Sequence, residues 1–159
     1  MIDSGTTLVI VPQDIYEGIL QHMASQFKHD HTVSMVCQRI NKTNQIEMCY
    51  FQGQSCKFMA PKVKPFKFVF GDYVFELDSQ AMLREDTHKG EKVCSIHFRG
   101  SKESKTKPSK NRFLMGNVFL KNFYSVYDYD QQSVRLGINI HSEKLAKIYK
   151  YSPNKWAHY

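Results

Sequence analysis

The four residues Asp3-Ser4-Gly5-Thr6 lie just before the apolar run Leu8-Val9-Ile10-Val11. An aspartate that activates a water molecule must be held in a tight turn. Gly5 allows the backbone to pass close behind Asp3 and to donate its amide to the carboxylate. The hydroxyls of Ser4 and Thr6 can bind neighbouring backbone and carboxylate oxygens. Because Asp, Ser and Gly also form ordinary turns, the surrounding sequence has to decide what the motif means.

The apolar run and the segment behind it predict a strand followed by a helix. Leu8–Val11 is apolar and rich in β-branched residues, which favours a buried strand. Pro12 suits the first turn of a helix, and apolar residues then recur every four residues. These residues are Ile15, Ile19 and Met23. We therefore predict one amphipathic helix over residues 12–27.

From residue 32 onward, short apolar runs alternate with turn residues, which is typical of a mainly β domain. Gly71-Asp72 predicts a tight hairpin between two of these runs. Ser79–Leu83 suits a short helical turn. The predicted strands are Thr32–Val36, Ile46–Phe51, Phe66–Phe70, Tyr73–Leu77, Ser95–Phe98, Phe113–Leu120, Phe123–Tyr127 and Val134–Ile138.

The end of the sequence has a different pattern. Ser142 suits the N-cap of a short helix that ends before Pro153. The side chains expected on one side of this helix are Leu145, Ile148 and Tyr149. We therefore predict two parts, a domain of residues 1–140 and an extension of residues 141–159. The extension is expected to pack against the domain or a partner.

Three runs in the second half of the chain give the first motif its context. They are Phe-Leu-Met-Gly-Asn-Val-Phe-Leu at 113–120, Asn-Phe-Tyr-Ser-Val-Tyr-Asp at 122–128 and Val-Arg-Leu-Gly-Ile at 134–138. Together with the Asp3 motif, they resemble the C-terminal lobe of pepsin-like aspartic proteases, peptidase family A1. The resemblance covers roughly Ile2 to Ile138 and is strongest at its two ends. It implies a mainly β fold, a pepsin-like acid protease lobe that is half of a bilobal fold and has a few short helices.

The resemblance also assigns roles to residues. It implies that Asp3 is the catalytic aspartate and that Ser4, Gly5 and Thr6 support its loop. The element Leu114-Met115-Gly116 is expected to cross beneath this loop. Two residues differ from the family pattern, because Ser4 replaces the commoner Thr, and Asn117 stands where the family usually has Asp. The Asn117 difference removes a negative charge.

Family members hydrolyse peptide bonds with two aspartates, one from each lobe, that hold one water molecule; no metal or other cofactor is needed. No other aspartate in this sequence is followed by Ser-Gly or Thr-Gly. The resemblance thus implies a lobe that lacks its first strands and is inactive alone. Its expected partners are a polypeptide substrate and an N-terminal lobe, from the same gene or a separate chain, that carries the second aspartate.

Two alternatives stay open at this point. One is a binding or structural module that keeps the pepsin-like lobe within a larger assembly but has no catalytic turnover. The other is a homodimer in which two copies each contribute one aspartate, although the missing first strand disfavours it.

The four cysteines indicate disulfide bonds. Cys37, Cys49, Cys56 and Cys94 have no Cys-x-x-Cys spacing, and the histidines are scattered, so a zinc site is not indicated. Sequence alone allows three pairings. The resemblance favours Cys56 with Cys94 and, in consequence, Cys37 with Cys49. Disulfides and a glycosylation sequon at Asn41 predict the secretory pathway, with an extracellular or lysosome- or vacuole-like location.

The net charge of +7 is concentrated in one stretch, Arg99–Arg112. Gly, Ser and Pro separate its cations, and no aromatic residue interleaves them. We therefore interpret it as a solvated loop and expect no nucleic-acid binding. No run of about 18 apolar residues is present, so no membrane segment is expected in this chain.

Overall fold

The computed structural model describes residues 1–39, 47–101 and 112–153. Their strands form four sheets joined by turns and short helices, so the fold is mainly β, as predicted. The strands are β1 (Val9–Pro12), β2 (Ser34–Arg39), β3 (Glu47–Gln52), β4 (Phe66–Phe70), β5 (Tyr73–Leu77), β6 (Leu83–His88), β7 (Glu91–Ile96), β8 (Phe98–Ser101), β9 (Leu114–Met115), β10 (Phe123–Asp128), β11 (Ser133–Ile138) and β12 (Ala146–Lys150). The helices are α1 (Gln13–Gln26), α2 (Cys56–Met59), α3 (Ser79–Met82) and α4 (Asn117–Leu120), with 3-10 turns at Ala60–Lys62 and Ile140–Ser142.

Strand β1 follows the candidate loop, Asp3–Thr6, and is the central strand of its sheet. It pairs in parallel with β8 and antiparallel with β9. Ile2 adds a parallel bridge to Met115. The other sheets have the orders β2-β3-β7-β6, β12-β5-β4 and β10-β11.

The predicted helix is confirmed, but the face that it buries differs from the prediction. Tyr16 and Met23 are buried, whereas Ile15 is 43% exposed. The reason is the close approach of β8, where a Cβ on Gly100 would lie 3.1 Å from the Tyr16 ring. Helix α1 therefore packs on β8 through Tyr16, one residue beyond the expected stripe.

Two predicted strands are divided. Ser95–Phe98 spans the end of β7 and the start of β8, because His97 leaves one sheet for another: its N–H donates to the Met82 carbonyl, and its carbonyl accepts from the Val9 N–H. In Phe113–Leu120, the strand is limited to β9. The Gly116 carbonyl accepts from the amides of Phe119 and Leu120, which turns the chain into α4.

The helix predicted in the C-terminal segment is wrong. Residues Ala146–Lys150 form β12, which pairs antiparallel with β5 from Ala146 opposite Leu77 to Lys150 opposite Tyr73. Unpaired backbone groups on β5 find partners here, and Ala146 becomes buried. The segment thus completes a sheet.

An aromatic cluster connects the sheets to α4. Phe119 is fully buried, and its ring centroid lies 4.7 Å from that of Phe123 and 5.4 Å from that of Phe68. Aromatic pairs at these separations stabilise a core beyond the area that they bury. The end of α4 is therefore anchored in the core, while its first residue, Asn117, lies at the surface beside the candidate loop.

Candidate active site

The Asp3 carboxylate is held by its own loop. The Gly5 N–H donates to Oδ1 at 2.9 Å, and the Thr6 hydroxyl donates to Oδ2 at 2.9 Å. The Asp3 side chain is partly buried. An ionised carboxylate can accept about four hydrogen bonds, so accepting positions remain for water. The loop therefore fixes the carboxylate and leaves it able to bind a further donor.

Backbone pairing holds the residues before the loop against the segment Phe113–Met115. The Asp3 N–H donates to the Met115 carbonyl at 3.1 Å, and the Met115 N–H donates to the Met1 carbonyl at 2.8 Å. The amino terminus donates to the Phe113 carbonyl. Since Met115 also pairs with Val9 of β1, this segment runs between the residues on either side of the loop.

Gly116 lies where this segment passes the loop most closely. A Cβ at this position would be 2.4 Å from the Thr6 carbonyl oxygen and 2.3 Å from that of Leu8. Both are backbone atoms, so no side-chain movement could make room. Only glycine fits this crossing.

The two residues that follow Gly116 complete the attachment of this segment to the loop. The Asn117 N–H donates to the Thr6 carbonyl at 2.7 Å, and the Val118 N–H donates to the Thr7 carbonyl at 2.9 Å. The Asn117 side-chain amide donates to the Ser4 carbonyl at 3.0 Å. The loop is thus bound along its length by residues 115–118.

The predicted catalytic aspartate, the residues of its loop and the predicted supporting element come together here. They are Asp3, Ser4, Gly5, Thr6, Leu114, Met115 and Gly116. The Ser4 hydroxyl differs from expectation, since within the described ranges it makes no hydrogen bond. Sequence reasoning missed the contacts of Asn117 and Val118. The contacts made by the backbone amides of Asn117 and Val118 leave no signal in the sequence. The Asn117 side chain does leave one, because Asn at this position differs from the family pattern.

The disulfides lie outside this loop. The structure pairs Cys37 with Cys49 and Cys56 with Cys94, as the resemblance implies. The first bond joins directly opposed residues of β2 and β3, and the second joins α2 to β7.

The other features that the sequence suggests add no second site among the described residues. Asn41 and most of the basic stretch, residues 102–111, lie outside the described residues. Within the described ranges, no cluster of three or more His, Cys, Asp or Glu side chains could hold a metal ion. No described helix is both long and apolar enough to span a membrane.

Comparison with known proteins agrees with this geometry. A curated relative, Rhizopuspepsin-1 from Rhizopus niveus, is 23% identical over 136 residues, which cover 86% of this chain and 27% of the relative. The chain therefore spans about a quarter of the length of that relative. A family model described as eukaryotic aspartyl protease matches residues 1–138, the range that includes both the Asp3 loop and the segment that crosses it. The chain belongs to the eukaryotic aspartyl protease family.

Proposed function

We propose that this chain is the C-terminal lobe of a pepsin-like endopeptidase and supplies one catalytic aspartate, Asp3. The observation that carries the proposal is how the Asp3 carboxylate is held. Each oxygen accepts a hydrogen bond from the loop, yet the side chain stays partly exposed. Family membership supports peptide-bond hydrolysis as the reaction and a polypeptide as the substrate.

The chemistry follows from bringing a second aspartate close to Asp3. Two carboxylates in contact cannot both ionise cheaply, so the pair shares one proton. The ionised member takes a proton from the water held between them, and the protonated member donates a hydrogen bond to the scissile carbonyl. The Gly5 N–H and Thr6 hydroxyl keep the Asp3 oxygens oriented toward that water.

The second aspartate comes from another lobe. The sequence contains one Asp-(Ser/Thr)-Gly motif, so a single copy has half of the pair. The described surface also exposes apolar area near Asp3, which is typical of an interface. A cavity of about 500 Å³ is lined by Met1, Ile2 and Met115, among others. Phe70, Tyr73 and Val134 also line this cavity and are 37%, 47% and 45% exposed. We infer that the partner lobe covers this area.

The two disulfides support folding in an oxidising compartment. We propose a location in the secretory pathway or beyond it, outside the cell or in a lysosome- or vacuole-like compartment.

The proposal is tested by pepstatin-sensitive cleavage of an acid-denatured protein by the full-length product. Asp3→Asn keeps the shape of the side chain but removes the titrating carboxyl group. We expect this change to abolish the cleavage.

Asp130→Asn is the matched control, because it makes the same chemical change at an exposed turn between β10 and β11. It should retain the activity. If Asp3→Asn and Asp130→Asn were equally active, Asp3 would not be catalytic. If no preparation cleaved protein, the chain would instead be a non-catalytic binding or structural module.

A further inference from the structure

One peptide group connects Asn117 to the Asp3 carboxylate. The Asn117 side-chain amide donates to the Ser4 carbonyl at 3.0 Å. The N–H that donates to Asp3 Oδ1 belongs to Gly5, at 2.9 Å. The Ser4 carbonyl and the Gly5 N–H are the two ends of the same peptide group. Because this group is planar, the direction of its carbonyl sets the direction of its N–H.

The hydrogen bond from Asn117 differs in kind from its neighbours. Three of the hydrogen bonds between the loop and residues 115–118 join backbone to backbone, those at Asp3, Thr6 and Thr7. They form with almost any side chain present. The bond to Ser4 is the one in this set that requires a particular side chain.

The chemistry of the side chain matters for two reasons. A donor on the Ser4 carbonyl polarises the peptide group and strengthens its N–H as a donor to Asp3. An amide also keeps its protons at every pH. An ionised carboxylate at position 117 has no proton to donate and would repel the Ser4 carbonyl oxygen.

We propose that Asn117 is a positioning residue that orients the Asp3 carboxylate through the Ser4–Gly5 peptide group and does so independently of pH. The inference rests on the proposed catalytic role of Asp3 for its functional meaning, but the hydrogen bond can be measured without activity. The elements that pack against α4 are α3, β1, β9 and β10, and their titratable side chains are Tyr124, Tyr127 and Asp128. Lys121 is the C-cap of α4, and Asp3 lies on the loop that Asn117 contacts.

The test is NMR of the full chain, following the carbonyl carbon of Ser4 and the amide proton of Gly5. Asn117→Ala should shift both resonances, because the carbonyl loses its donor and the amide loses its orientation. Asn117→Asp has nearly the same shape as Asn117, so it serves as a second variant if the alanine variant folds poorly. An Asp3→Asn background removes the titration of residue 3.

In that background, the Ser4 carbonyl resonance should stay constant between about pH 3 and about pH 7 when residue 117 is Asn. With Asn117→Asp it should move near pH 4, as the new carboxyl group ionises and stops donating. Gln131→Glu adds a similar charge at the exposed turn after β10 and should leave the resonance constant. A Ser4 carbonyl that ignored both substitutions at position 117 would overturn the inference.

Activity separates this inference from the proposed function. In the full-length product, Asn117→Asp should leave cleavage near wild type at the acid end of the pH profile and lower it progressively as the new carboxyl group ionises. If this variant followed the wild-type profile while Asp3→Asn was inactive, the inference would fail and the proposed function would stand. If Asp3→Asn stayed active, the proposed function would fail, and the NMR result would still decide the hydrogen bond.

Discussion

Gly116 shows how one residue without a side chain can set the geometry of the Asp3 loop. Its backbone lies so close to the Thr6 and Leu8 carbonyls that an added Cβ would be 2.4 Å and 2.3 Å from their oxygens. The amide that follows it donates to Thr6. The absence of a Cβ therefore permits the hydrogen bonds that hold the loop.

Gly116→Ala should destabilise the chain, because both clashing atoms are backbone atoms that cannot rotate away. We expect the free energy of unfolding to fall by about 3 kcal/mol in urea denaturation, as for other overpacked sites. Gly18→Ala is the control, since an added Cβ on this exposed residue of α1 meets nothing within 4 Å. It should stabilise the chain by about 0.5–1 kcal/mol through helix propensity. Equal effects of the two substitutions would contradict the close crossing at Gly116.

The residues of the candidate site were predictable to different degrees. The hydrogen bonds to the Asp3 carboxylate were predictable, because their donors, Gly5 and Thr6, are close to Asp3 in the sequence and belong to the same motif. The hydrogen bond from Asn117 to Ser4 spans 113 positions, so its existence depends on the folded crossing. The Ser4 hydroxyl is chemically able to form a hydrogen bond. Within the described structure it forms none, because of the local geometry, which the sequence does not give.

Elements were predicted best where their pattern is local. The hairpin of β4 and β5 has the predicted bounds, because alternating residues and a Gly-Asp turn specify it within a short segment. Strand β6 was missed, because Leu83 is its one buried residue and the others are polar or exposed. The sequence pattern predicts a helix where β12 lies, because its apolar spacing fits both a helix and a strand and the deciding partner, β5, is about 70 residues away.

The junction between β7 and β8 contains a buried titratable group, His97. Burial lowers its pKa below the ordinary value of 6.5; Asp86, with Oδ2 3.9 Å from Nε2, acts in the opposite direction, and Arg84 and Lys121 lower it further. Its Nδ1 has no hydrogen-bond partner among the described residues. The folded chain therefore favours the neutral imidazole.

Stability should consequently depend on the protonation of His97. As the pH falls below 6.5, the unfolded chain binds a proton that the folded chain resists, so stability is lost between 6.5 and the lower folded pKa. His97→Gln should lose less stability than the wild type between about pH 7 and about pH 5 in urea denaturation. His29→Gln, an exposed change of the same kind, should keep the wild-type dependence. If His97→Gln matched the wild type across this range, His97 would not be the group responsible.

At the scale of the whole molecule, the described residues form a folded unit that fits the proposed half of a catalytic site. Its sheets, two disulfides and aromatic core hold Asp3 in place. The surface beside Asp3 nevertheless remains apolar and exposed. This combination supports the proposed half-site, because under that proposal the loop must be ordered before a second lobe can bring its aspartate to the same water.

The most direct test of whether Asp3 is half of a catalytic site measures cleavage of an acid-denatured protein by three samples. They are this chain alone, the lobe with the second aspartate alone, and the two together. We predict no cleavage by either lobe alone, pepstatin-sensitive cleavage by the two together, and none when the chain carries Asp3→Asn. Cleavage by this chain alone, or by the two together when the chain carries Asp3→Asn, would contradict the claim that Asp3 is half of a catalytic site. The first of these outcomes would favour a homodimer, and sedimentation would then show whether two copies associate.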